Sequence, residues 1–146
     1  MSLPSIMGLA AVLLLSFLLM SSIDRKTKRK LAHLTRDRPS LDDNAFYDLS
    51  FADSGIPRDV VAGVRAIFRE NIPADLSALG ADDDFSGNFQ VIWMLDSMSS
   101  VEVVVGLEKA FGITIEDSEA ERVTSIRKAV ELVWSKLPTS TREQSA

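Results

Sequence analysis

The chain has 146 residues, no cysteine, one histidine and a formal net charge of −5. That length suits one small domain with accessory segments. Without cysteine there are no disulfides, thiolate metal ligands or sulfur nucleophiles, and His33 alone supplies neither a histidine metal site nor a Ser-His-Asp constellation.

Charge is divided unevenly along the chain. Residues 24–38 hold seven Lys/Arg against two Asp, whereas residues 39–146 hold nine Lys/Arg against nineteen Asp/Glu. Phosphate backbones repel so acidic a body, so nucleic acid is not an expected partner. Basic protein surfaces are.

Leu3 to Ile23 runs 21 residues without a charge. As a helix it would extend roughly 31 Å, about one hydrocarbon core. The opening "MSLPS" lacks the basic start of a cleaved signal peptide, and Met20-Ser21-Ser22-Ile23 is a weak cleavage site. A single transmembrane anchor over residues 1–23 is therefore predicted. The basic run Asp24–Lys30 puts the rest of the chain on the cytosolic side and favours anionic headgroups. Residues 24–45 read as a basic juxtamembrane region and linker, polar and proline-bearing from His33 to Asp43.

The predicted domain covers residues 46–136. Phe46, Tyr47, Leu49 and Phe51 are compatible with a short packed helix without fixing one. Pro57 suits a first helical position. Val60, Val61, Val64, Ile67 and Phe68 then form one apolar stripe, which ends near Asn71 ahead of Pro73. A long loop follows to about Leu95. Within it, Asp82 to Phe89 is similar to the start of a calcium loop, but the twelfth position is Trp93 where a bidentate Glu is required. The stretch reads as an acidic, solvated turn, and no metal site is predicted.

Ser99 and Glu102 fit a capping box for the next helix, which should stop at Gly112. Its valines, Leu107 and Phe111 would bury one side, leaving Glu102, Glu108 and Lys109 wet. Asp117 to Arg122 suggests one or two acidic turns. Thr124 is a cap for a last helix, where Ile126, Ala129, Val130, Val133 and Trp134 form a second stripe. The tail, residues 137–146, is polar and expected to be disordered. The sum is an all-α bundle of three main helices plus one short helix, preceded by a single transmembrane helix.

Asp96-Ser97-Met98, then Val101-Glu102, Leu107-Glu108 and Phe111, resemble the acyl carrier protein family. The likeness continues through Gly112 to Val133, and Phe89 stands where the family has a loop phenylalanine. It implies that Ser97 takes a covalent 4′-phosphopantetheine arm from coenzyme A, flanked by Asp96 and Met98. Glu102 and Glu108, with Glu116, Asp117, Glu119 and Glu121, would form an acidic docking face for the partners such a carrier implies, a phosphopantetheinyl transferase and basic acyl-transferring or synthase enzymes. By this resemblance the protein is expected to be a carrier and not an enzyme, and with the predicted anchor, which is unusual for the family, it would present acyl thioesters at the cytosolic membrane face for fatty acid, lipid or polyketide-type biosynthesis. A phosphodiester at a helix N-terminus also suits the free N–H groups there. Where the family often has Leu-Gly-x-Asp-Ser-Leu, this chain has Trp93-Met94-Leu95-Asp96-Ser97-Met98. That departure keeps open an alternative, an unmodified carrier fold that docks a membrane partner through its acidic helix.

Overall fold

The computed structural model describes residues 3–90 and 99–144. Seven helices are described: α1 (Leu3–Thr35), α2 (Asp43–Ser50), α3 (Arg58–Asn71), α4 (Ser99–Phe111), α5 (Asp117–Ala120), α6 (Ile126–Lys136) and α7 (Thr139–Gln144). The expected membrane span, residues 3–23, falls largely on side chains outside the described residues. Among the described residues no helix is long and apolar enough to cross a membrane.

The core is built by α3, α4 and α6, as the apolar stripes require. Val61, Val64 and Phe68 of α3 meet Val103 and Leu107 of α4 and Ala129, Val130 and Val133 of α6, all buried. Two glycines let α3 and α4 approach closely. A Cβ on Gly106 would lie 2.8 Å from Ile67 Cγ2, and one on Gly63 would lie 2.9 Å from the Phe111 ring. Pro57 is the N-cap of α3, with extended ψ of 150°, one residue earlier than the helical position expected for it. Ser125, not Thr124, caps α6 by accepting from Lys128 N at 3.2 Å.

The aromatic segment resolves as α2. Asp42 caps it by accepting from Ala45 N at 2.7 Å, and Phe46 and Phe51 are fully buried. Arginines fasten it down. Buried Arg65 stacks over the Phe46 ring at 4.3 Å, donates to Asp43 at 2.7 Å and donates to the Leu41 carbonyl at 2.7 Å. Arg69 also donates to Asp43, at 2.8 Å. Tyr47 donates to the Ile56 carbonyl at 2.7 Å and lies under Arg58, which pairs with Asp48.

Residues 24–45 are not a loose linker. α1 continues to Thr35 and seats Leu31 in the core. The next residues are strapped to the long loop: Arg38 donates to Asp83 at 2.6 Å and covers the Phe89 ring, while Leu41 N donates to the Ser77 carbonyl at 2.8 Å. The tail is also more ordered than expected. Leu137 is buried, and α7 follows Pro138, whose carbonyl accepts from Thr141 N and Arg142 N.

Candidate functional site

The long loop from Pro73 leads toward Ser97 and is held at both sides. On one side are the Arg38 and Leu41 contacts. On the other, Phe85 N donates to the Thr124 carbonyl at 2.7 Å and Arg127 N donates to the Ala81 carbonyl at 2.9 Å. Phe85 and Phe89 are buried, so the loop hangs on two aromatic anchors.

The calcium-like acids are each engaged within the protein. Arg127 grips Asp82 through two nitrogens, one of them at 2.9 Å, while covering the Phe51 ring. Asp83 takes Arg38 and accepts from Gly80 N at 2.8 Å. Asp84 accepts from both the backbone and the hydroxyl of Ser86. The stretch is the exposed acidic turn expected, and its carboxylates also fasten it to Arg38 and Arg127. Among the described residues no cluster of metal-ligating side chains occurs.

Asp96, Ser97 and Met98 lie outside the described residues. α4 begins immediately after them, and its sides differ. Val103 and Leu107 are buried and Val104 is half-buried, whereas Val101 and Val105 are 51% and 39% exposed. Only part of the expected valine face is therefore interior. Ser99 is already helical and fully buried, and its hydroxyl has no hydrogen-bond partner among the described residues. The expected capping box with Glu102 is not formed there.

Glu102 is exposed. Glu108 is half-buried, and its Oε1 accepts from Ile115 N at 2.8 Å, tying α4 to the link before α5. It is therefore not the wet side chain expected. Glu119, within α5, accepts from Glu116 N at 2.9 Å and from Lys136 Nζ at 2.7 Å. The hydrogen bond from Lys136 holds its carboxyl below the usual range. Asp117 and Glu121 are exposed. The free acids along this side are thus Glu102, Asp117 and Glu121, which have no side-chain partner among the described residues.

Between α4 and α5 lies a groove of about 800 Å³. Phe85, Val103, Ile115 and Val123 form its apolar floor, while Ser100 and Val101 border it at the first turn of α4. An apolar channel that opens beside the residues next to Ser97 fits a flexible arm carrying an acyl group. Sequence reading missed it because the exposed valines break no helical rule.

Comparison with known proteins gives a consistent result. Residues 62–133 match the family model described as "Phosphopantetheine attachment site". The chain is 37% identical over 86 residues to mitochondrial acyl carrier protein 2 of Arabidopsis thaliana, covering 59% of this chain and 63% of that protein, and so somewhat under two thirds of its length. It is 30% identical over 81 residues to acyl carrier protein 2 of Pseudomonas aeruginosa, covering 56% of this chain and 98% of that protein. It is 29% identical over 80 residues to the acyl carrier protein of Guillardia theta, covering 55% of this chain and 94% of that protein. No solved structure matches.

Proposed function

The chain belongs to the acyl carrier protein family, and from that premise we propose that it is a membrane-anchored carrier whose Ser97 bears the prosthetic arm. It is a carrier and not an enzyme, and its cofactor is covalently bound 4′-phosphopantetheine. When bound, that group supplies a terminal thiol on which acyl groups ride as thioesters. The observation that carries the assignment to Ser97 is that the family match over 62–133 contains Asp96-Ser97-Met98 immediately before α4.

The remaining roles follow from what this chain's residues offer. In this reading Asp96, the neighbour of Ser97 in sequence, orients the hydroxyl for the transferase, and Met98 flanks Ser97 on the other side of the motif. Glu102, with Asp117 and Glu121, forms the acidic face that meets basic transferase and synthase surfaces. Glu108 contributes indirectly by holding Ile115 and thus one wall of the groove. The apolar residues 3–23 anchor the domain on the cytosolic side of a membrane, which raises its effective concentration near membrane enzymes. The cargo belongs to fatty acid, lipid or polyketide-type assembly.

Intact mass of the full chain, after incubation with coenzyme A and a broad-specificity phosphopantetheinyl transferase, tests the attachment. One added phosphopantetheine, absent from Ser97→Ala, is expected. If the transferase modifies a control carrier but not this chain, and a cognate transferase also fails, the unmodified docking module replaces the proposal. The Trp93-Met94 substitution in the loop is what favours that second reading. Retention of the chain in membranes after alkaline washing tests the anchor, and release into the wash would remove it.

A further inference from the structure

The end of α1 has two distinct faces. Thr27 and Leu31 are buried and Leu34 is half-buried against the domain, at i, i+4 and i+7. Lys26, Arg29 and Lys30 are exposed on the neighbouring face, with exposed His33 one turn beyond Lys30 and Arg29. Their side chains have no acidic partner among the described residues. Nearby basic residues differ: Arg38 is spent on Asp83, and Arg65, Arg69 and Arg127 are spent on the domain's own aspartates.

We propose that Lys26, Arg29 and Lys30 form a docking surface for an anionic lipid bilayer, seating the carrier domain on the membrane in one orientation. The inference rests on the anchored reading of residues 3–23. Because α1 runs unbroken from that apolar segment to Thr35, the stripe starts where the segment ends. At 1.5 Å per residue, Lys26 lies about 5 Å and Lys30 about 10 Å along the axis from Ile23. Both fall within the headgroup layer or about one Debye length of it at physiological salt.

Charge decides which side turns to the lipid. Residues 39–146 are strongly acidic, so an anionic surface repels them. The basic stripe is attracted, and tilting α1 toward it brings its whole length to the headgroups. The domain follows, because Leu31 is in its core and Arg38 and Leu41 are strapped to the loop at Asp83 and Ser77. The same surface repels the exposed Glu102, Asp117 and Glu121.

The chain's lack of cysteine provides the test. His33→Cys in the full apo chain carries the only thiol, and it reacts with an uncharged polymer maleimide. The chain is reconstituted in vesicles of phosphatidylcholine alone or mixed with phosphatidylglycerol. Expected is modification several-fold slower with phosphatidylglycerol, recovering in high salt and in the Lys26→Gln/Arg29→Gln/Lys30→Gln variant. Equal rates in the two lipids, or slowing that survives the triple substitution, overturns the docking surface. Flotation on the same samples separates the premises. A chain that floats with both vesicles but reacts equally loses only the docking surface, whereas a chain that floats with neither loses the anchor and this inference with it.

Discussion

On the α2–α3 side of the domain, Asp43 is gripped by Arg65 and Arg69 and Asp48 by Arg58. On the α4–α5 side, Glu102, Asp117 and Glu121 face water with no partner among the described residues. The first side uses carboxylates as fasteners for arginines, two of which also stack over aromatic rings. The second leaves them as a field. An acidic composition alone does not tell these uses apart, and a surface acid that is already spent offers little to an incoming basic partner.

The contrast can be broken from either side. Ser97→Ala has the largest expected effect, complete loss of the mass gain with coenzyme A and transferase, while urea unfolding stays unchanged. Next is the packed side: Phe46→Ala empties a fully buried site and is expected to cost about 3–5 kcal/mol, read from the urea midpoint. Arg65→Ala leaves the Leu41 carbonyl unpaired and weakens the Asp43 clamp. Its expected cost is about 2 kcal/mol, below the figure for a wholly buried pair because Asp43 is partly exposed.

Acid gives a graded version of the same test. The hydrogen bond from Arg69, helped by Arg65, lowers the Asp43 carboxyl below its ordinary value of 3.8, and Arg127 does the same for Asp82. A depressed folded-state value contributes stability above the unfolded value, and that contribution is lost as pH falls through the folded one. The urea midpoint should therefore decline as pH drops through and below 3.8, and decline less steeply in Asp43→Asn. Above that window these two groups impose no slope.

The smallest effects sharpen the comparison within a single helix. Glu108→Ala strands the Ile115 amide and should cost about 1 kcal/mol. Glu102→Gln should change stability by less than about 0.5 kcal/mol. In return it should slow the transferase reaction, and that slowing should fade as salt rises.

The helical stripes of α3 and α6 were legible because they follow a local period: Val60 to Phe68 and Ile126 to Trp134 announce their buried faces without reference to the rest of the chain. Asp96-Ser97-Met98 was read only through its resemblance to the family. The strap and the fastening of the loop were not legible. Arg38 meets Asp83, and Arg127 meets Asp82, each across 45 residues. No periodicity marks a pair so distant, so Asp82–Asp84 read only as a solvated turn and residues 33–43 as a linker. Glu108 misled for a related reason. Its spacing places it with the wet face, but an amide seven residues onward claims one of its oxygens.

The two-sided fastening of the loop bears on how the protein matures. Residues 77–85 are held by contacts from residues 38–41 and again from residues 124–127. Ends so far apart in the chain close late in folding, after the local helices have formed. On a ribosome, the second set of contacts does not exist until residues 124–127 have been made. The fastening of residues 77–85 is complete only once the start of α6 has been made, so the arm is expected to be installed on chains that include α6, and chains stopped before it to be passed over.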